Sequence, residues 1–303
     1  MKIAAVCVAA AVLLITGCSP DRMGGNPAQD VSDSDSDTGS NDEYVSPYDG
    51  AQGSAGSLEG CTVLVSIYAD DAGTSWDESS DEDGEMIYDA LDNLRISTGY
   101  LTEQAARYGA STEFVWDWEL NPDLYYRAYF DESLVTEYGD MYNVQKDWIE
   151  NNIDTRELRN KYRADNVIYL FFFNTDFSNQ VNPWYLGYSC SSDYYIEFCN
   201  IYVRFDDIFV TKPGTYAHEM MHCFGAHDLY YANEFIPPAY VDHLNKNFSS
   251  DIMYTVYDSK EITNDFTDLD AYYVGLIDSC DEVEKWNLAI SEHITDDRSE
   301  QEE

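Results

Sequence analysis

The stretch 215–230, TYAHEMMHCFGAHDLY, restricts the local fold more than any other part of this chain. His218 and His222 are four residues apart, so on a helix they share one face, with Cβ atoms ~6 Å apart. At that separation two imidazole nitrogens can meet one Zn²⁺ at about 2.0–2.1 Å each. Glu219 follows the first histidine, where it can border a metal without binding it and act as a general base. Gly225 can adopt a positive φ, which would end the helix and turn the chain back.

The distribution of histidines argues against a chance match. The whole chain has five histidines, and three of them, His218, His222 and His227, fall within ten residues. For this composition an HExxH pattern is expected by chance at roughly the 1% level. Asp228 and Tyr230 follow on the returning segment, within reach of the remaining face of a metal. The stretch therefore predicts a zinc site.

The extended motif resembles the metzincin clan of zinc endopeptidases, whose signature is HExxHxxGxx followed by His or Asp. In that register Asp228 stands at the third-ligand position, and the HExxHxxGxxDxY pattern ending at Tyr230 is similar to that of snapalysins and immune inhibitor A-type peptidases. A second feature of the clan is a methionine turn beneath the metal. The sequence SSDIMY at 249–254 supplies a candidate with Met253.

The resemblance implies an α/β (α+β) fold of the metzincin-like zincin type. Such a fold has a twisted mixed sheet with a long backing helix and an active-site helix, and a smaller irregular C-terminal lobe with the methionine turn. The resemblance also implies a zinc-dependent endopeptidase. In that enzyme His218, His222 and Asp228 bind Zn²⁺, Glu219 is the general base, and Tyr230 stabilises the oxyanion of the tetrahedral intermediate.

Other residues compete for the third-ligand position. His227 is the more usual zinc-binding residue type, but it is one position out of register. Glu234 could reach the metal after a local rearrangement. A distant carboxylate would make the site resemble other HExxH clans; the candidates are Glu261, Asp268 and Asp270.

The N-terminal part of the chain has the features of an export signal. Residues 1–17 combine one early lysine with an apolar run that is too short to span a bilayer, which predicts a signal peptide. The sequence ITGC, ending at Cys18, resembles a bacterial lipobox and implies a lipid anchor at this cysteine; the alternative is a plain secretory signal with a chance cysteine. Residues 18–57 are rich in Ser, Gly, Asp and Asn, which predicts a disordered acidic linker. We therefore expect a protein anchored at the bacterial cell surface.

The remaining chain predicts one catalytic domain at 58–290 and an acidic tail at 291–303. The formal net charge of −42 argues against nucleic acid and anionic lipid headgroups as partners. The acidic surplus raises the expectation of bound Ca²⁺ without naming a site. We expect a monomer that acts on a protein or peptide substrate.

Seven cysteines are present, and five of them lie in the predicted domain. Because export permits disulfides, we consider two pairs, Cys190 with Cys199 and Cys61 with Cys280, although spacing does not determine connectivity. Cys223 follows a zinc ligand about 100° off the metal face, which favours a helix-packing role.

Hydrophobic periodicity predicts an alternation of strands and helices before the metal helix. The run 166–173 is the most hydrophobic and is expected to be a central strand. The run 194–205 is a candidate edge strand that could pair with an extended substrate; the alternative is an internal strand. The other expected strands are 62–69, 113–118 and 124–130, and the other expected helices are 84–108, 144–161 and 266–277.

A second class of function remains open on the sequence. The chain could be a non-catalytic surface lipoprotein that binds a protein or glycan and keeps zinc, or only its fold, for structure. Structural zinc sites usually have four protein ligands, whereas this motif offers three and a base. Glu219 discriminates between the two, because a binding module has no need of a carboxylate at that position.

Overall fold

A computed structural model describes residues 54–131, 134, 141–176, 186–187, 196–205 and 209–294 of the protein. The predicted signal peptide, Cys18 and most of the predicted linker lie outside these residues, as do Cys190 and the end of the acidic tail. The described elements make a mixed α/β fold, which confirms the fold class at that level.

The centre of the fold is a seven-stranded sheet in which five strands are parallel. β1 (Gly60–Asp70) pairs on one side with β4 (Asn166–Asp176) and on the other with two short strands, β2 (Thr112–Val115) and β3 (Tyr125–Tyr129). β6 (Phe198–Phe205) pairs with the far side of β4. Two antiparallel strands, β5 (Leu186–Gly187) and β7 (Phe209–Val210), complete the outer side of β6.

Both faces of this sheet are covered, because alternate residues of its central strands enter two different cores. On one face, Leu64, Phe172 and Ile201 pack beneath α1 (Asp81–Arg107) and α4 (Pro213–Cys223). On the other face, Val65, Phe171 and Phe198 pack beneath α2 (Met141–Asn152) and α3 (Thr155–Tyr162). Because β4 is buried on both faces, its sequence is continuously apolar, and this is the pattern from which 166–173 was predicted to be a central strand.

After α4 the described chain forms three helices, α5 (Pro238–Asn247), α6 (Asp268–Tyr273) and α7 (Asp281–Trp286). Buried side chains of α5 and α6, such as Tyr240 and Tyr273, join the core beneath α1 and α4, and partly buried side chains of α7 pack against it. These helices therefore pack on the face of the sheet that carries α4. Among the residues described above, no helix combines the length and the apolar character needed to cross a membrane.

Both ends of the described chain are held by specific contacts. The backbone amide of Ala55 donates to Glu197 Oε2 at 2.9 Å, and Arg159 Nη2 donates to the carbonyl oxygen of Ser54 at 2.7 Å. At the other end, Ser291 is buried and His293 Nε2 donates to the carbonyl oxygen of Phe224 at 2.7 Å. Packing thus extends a few residues beyond both limits of the predicted 58–290 domain.

The structure corrects two expected elements. The helix expected at 144–161 is two helices, because Asp154 begins α3 as its N-cap and accepts a hydrogen bond from the amide of Glu157 at 2.9 Å. The expectation that 194–205 forms an edge is also wrong. β6 starts at Phe198 and has partners on both sides, so its backbone is already paired.

The expected disulfide pairing of Cys61 with Cys280 is wrong as well. Cys61 belongs to the core under α2 and α3, whereas Cys280 packs against the core on the opposite face of the sheet. Cys199 contacts Cys223, with Sγ atoms 3.4 Å apart, whereas Cys190, the partner expected for Cys199, lies outside the described residues.

Candidate metal centre

The start of α4 is fixed by the long helix α1. Asn93 Nδ2 donates to the carbonyl oxygen of Thr211 at 2.8 Å, and Ser97 Oγ donates to the carbonyl oxygen of Pro213 at 2.7 Å. Pro213 itself suits the first helical turn, because that position has no intrahelical partner for an N–H. The backing helix therefore sets the position from which His218 and Glu219 project.

The C-terminal end of α4 is followed by a tight turn at Gly225. Its φ is +96°, and a Cβ atom there would lie 3.0 Å from the carbonyl oxygen of Tyr273 and 2.7 Å from Glu292 Oε1. Glycine is therefore required both for the backbone conformation and for the close packing. The turn directs the chain back along α4 and brings Asp228 opposite the two histidines of the helix.

Three side-chain atoms from these two segments form a nearly equilateral triangle. His218 Nε2 and His222 Nε2 are 3.2 Å apart, and each lies 3.2 Å from Asp228 Oδ1. Among the described residues, these three form the one group of histidine, cysteine and acidic side chains with the spacing of a metal site. The sequence motif thus brings the three predicted ligands together.

The opposite nitrogens of both rings contact backbone carbonyls. His218 Nδ1 lies 2.9 Å from the carbonyl oxygen of Ile252, and His222 Nδ1 lies 2.7 Å from that of Ala226. A carbonyl oxygen can only accept, so both Nδ1 atoms donate. In a neutral imidazole the proton on Nδ1 leaves Nε2 with a lone pair. In its neutral form each imidazole therefore presents the Nε2 lone pair toward the centre of the triangle, and a proton held on Nε2 has to leave before a metal ion binds.

These three atoms fit a zinc ion. Atoms bound to Zn²⁺ at 2.0–2.1 Å in tetrahedral geometry are about 3.3–3.4 Å apart, and the observed separations are 3.2 Å. Two imidazole nitrogens and one carboxylate oxygen are a common donor set for zinc. The carbonyl contacts at Ile252 and Ala226 supply the orientation that ligating histidines require on their other nitrogen.

No protein-family model and no curated protein matches this sequence.

The charges of the triangle are strongly coupled. Burial alone would lower the pKa of His222, but the Asp228 carboxylate raises it to about 9. Conversely, burial would raise the pKa of Asp228, but the two imidazoles hold it well below its usual range. Without another cation the three atoms hold a proton, so a metal ion would have to displace that proton on binding.

Glu219 and Tyr230 border the triangle. Glu219 is 3% exposed, and its Oε1 lies 4.0 Å from His218 Nε2, so it is close to the candidate metal position without belonging to the triangle. The Tyr230 ring stacks on that of His218 with centroids 6.5 Å apart, and Tyr230 is 42% exposed. Burial and the neighbouring Asp228 carboxylate hold the pKa of Tyr230 well above its usual range, which keeps the phenol protonated as a hydrogen-bond donor.

The competing third ligands lie elsewhere. The His227 ring stacks on Phe235 with centroids 4.7 Å apart and contacts Tyr273 edge-on at 4.8 Å. Burial and the charge of His222 lower the pKa of His227 to about 4, so this ring is a neutral packing group. The carboxylates considered as alternatives do not join the triangle: Glu234, Glu261, Asp268 and Asp270.

The segment around Met253, predicted as a methionine turn, contacts α4 through His218. Met253 is fully buried, its carbonyl oxygen accepts from the amide of Leu229 at 2.9 Å, and the preceding carbonyl, that of Ile252, holds His218. Asp251 closes the turn by accepting from the Met253 amide at 2.8 Å. The sequence predicted Met253 but not the role of Asp251 or the carbonyl partners of the two histidines. An aspartate whose side chain accepts from its own turn looks in sequence like any other turn aspartate, and backbone carbonyls give no signal at all.

Proposed function

We propose that this protein is an exported zinc-dependent endopeptidase, anchored to the membrane through Cys18. The observation that supports this most is the triangle of His218, His222 and Asp228 with a buried carboxylate, Glu219, beside it. Three protein ligands leave one tetrahedral position for water or substrate, which is the arrangement of catalytic zinc sites.

In this proposal the residues have separate tasks. His218, His222 and Asp228 would hold the ion, which supplies a Lewis acid that polarises a peptide carbonyl and acidifies water. Glu219 takes a proton from the attacking water and later passes it to the departing amine. Tyr230, protonated and half-exposed beside the site, donates a hydrogen bond to the oxygen on which negative charge develops.

The surface next to the triangle favours a polypeptide substrate. Three aromatic side chains within seven residues of Asp228 in the chain are partly exposed: Tyr230 at 42%, Tyr231 at 49% and Phe235 at 42%. Large aromatic residues that remain exposed beside a site are typical of surfaces that bind apolar side chains of a partner chain. A small polar substrate would not need this surface.

The test is a comparison of Glu219→Gln with the wild-type protein on casein, with zinc content measured in parallel. If Glu219 is the base, the variant should keep its zinc and lose about 10²–10⁴-fold in cleavage rate. Glu234→Gln is the matched control, because Glu234 is exposed, lies close in the chain and is outside the triangle. Full cleavage by Glu219→Gln would refute the mechanism. Zinc-loaded wild-type protein that cleaves no protein or peptide would favour the binding-lipoprotein alternative.

A further inference from the structure

The thiols of Cys199 and Cys223 form a contact that the proposed peptidase chemistry does not use. Cys199 is on the central strand β6, and Cys223 is the last residue of α4, directly after His222. Their Sγ atoms are 3.4 Å apart, and both side chains are fully buried. The two residues come from elements that are already packed against each other, so the contact belongs to the folded core.

We propose that Cys199 and Cys223 form a disulfide that links the metal helix to the sheet in the exported protein. An S–S bond is 2.03–2.05 Å long, so the two sulfur atoms need to approach by only about 1.4 Å. The inference depends on export, which the proposed function shares, because disulfides persist in oxidising compartments. It does not depend on zinc or on peptidase activity.

The reaction balances by thiol–disulfide exchange. Two S–H bonds break and one S–S bond forms between Cys199 and Cys223, with the loss of two protons and two electrons. A disulfide-bearing oxidant, either a small molecule or a folding catalyst, accepts them and is reduced to two thiols. Because both cysteines are inaccessible in the folded protein, the exchange takes place during folding, before α4 closes over β6.

The consequence for the site is mechanical. Cys223 is the residue next to His222, and Gly225 begins the turn to Asp228 two residues later. A covalent bond from Cys223 to the sheet fixes the end of α4 at the point where the helix gives way to that turn. The link therefore restrains the distance between His222 and Asp228.

The direct test is peptide mapping of the full-length protein after export, denatured and alkylated without reduction. Cleavage on the N-terminal side of aspartate places Cys199 on peptide 193–205, Cys223 on peptide 207–227 and Cys190 on a third peptide. The proposal expects peptides 193–205 and 207–227 to be joined, with a mass two hydrogens below the sum of the two. Recovery of Cys199 as an alkylated thiol, or joined to Cys190, would overturn it.

A second measurement uses thermal unfolding with and without reductant. The two cysteines are 24 residues apart in the chain. Reduction of a disulfide that closes a loop of this length should lower the Tm of the wild-type protein by roughly 5–10 °C. The double variant Cys199→Ala/Cys223→Ala should show no such shift, whereas Cys280→Ala should retain it. An equal effect of reductant on the double variant and the wild type would contradict the assignment, whatever the peptidase assay gives.

Discussion

Replacing Asp228 by asparagine tests the charge balance of the metal centre. The Asp228 carboxylate lies 3.2 Å from His222 Nε2 and raises the pKa of that imidazole to about 9. At pH 7.5 a group with this pKa is about 97% protonated, whereas an imidazole at the ordinary value of 6.5 is about 9% protonated. Because zinc requires an unprotonated nitrogen, its binding to the wild-type protein must release about one proton from His222. In Asp228→Asn that release should fall to about 0.1.

The assay is calorimetric titration of metal-free protein with zinc at pH 7.5, in two buffers that differ in ionisation enthalpy. The difference between the two binding enthalpies gives the number of protons released per ion. His227→Phe is the matched control, because burial lowers the pKa of His227 to about 4, so this imidazole is uncharged at pH 7.5 and has no second ring proton to release. Phenylalanine also preserves the stacking on Phe235. Equal proton release by the wild type and Asp228→Asn would refute the ion pair on which this reasoning depends.

The ion pair of His222 and Asp228 also predicts how the stability of the metal-free protein depends on pH. The pKa of His222 is higher in the folded than in the unfolded state, so the stabilisation from its protonated form is complete below pH 6.5 and is lost as the pH rises to 9. The difference of about 2.5 between the two pKa values corresponds to about 3 kcal/mol of unfolding free energy. The His222 side chain is only 14% exposed, so solvent screens its interaction with Asp228 little. Urea unfolding at pH 6 and pH 9 should show this loss in the wild-type protein and much less of it in Asp228→Asn.

Two further predictions concern the scaffold. Burial raises the pKa of Glu197 to about 7, so its ionisation costs about 3 kcal/mol of unfolding free energy as the pH rises from 4.5 to 7. Burial also raises the pKa of Asp251 and of Glu292, so the stability of Glu197→Gln in urea should still decline over this interval, but by about 3 kcal/mol less than that of the wild type. A decline of unchanged size would contradict the assignment. Gly225→Ala should destabilise the domain by about 1–3 kcal/mol and weaken zinc binding, because the turn that carries Asp228 cannot keep its positive φ. Gly99→Ala, at an open position within α1, should instead stabilise by about 1 kcal/mol, and thermal unfolding with zinc titration compares the two.

The three corners of the triangle could be predicted from the sequence because short-range rules place them. Helical periodicity brings His218 and His222 onto one face, and the positive φ of Gly225 returns the chain so that Asp228 faces them. The sequence alone left His227 as a competitor of Asp228 for the third-ligand position. The structure separates these two residues because the His227 ring packs against Phe235 and Tyr273, whose positions depend on the fold of the chain after α4.

Other features could not be predicted for reasons of topology. Sequence spacing suggested only Cys190 as a neighbour of Cys199, and the contact of Cys199 with Cys223 could not be predicted because it depends on the strand order that brings β6 beneath the end of α4. Similarly, 194–205 looked like an edge strand because nothing local reveals the two-residue strand β5 on its outer side. The break before α3 did have a local signal, since Asp154 followed three residues later by Glu157 is a helix start.

The groups beside the triangle favour a catalytic over a structural role for the proposed metal centre. A structural zinc site closes its coordination with a fourth protein ligand, often a cysteine. Cys223 is the nearest cysteine in sequence to the triangle, but its sulfur points away, to Cys199 on β6. The groups that do border the triangle are a buried carboxylate, Glu219, and a protonated phenol, Tyr230, on the exposed side. A buried carboxylate beside the candidate metal position suits the proposed proton transfer, whereas a purely structural zinc site needs no such group.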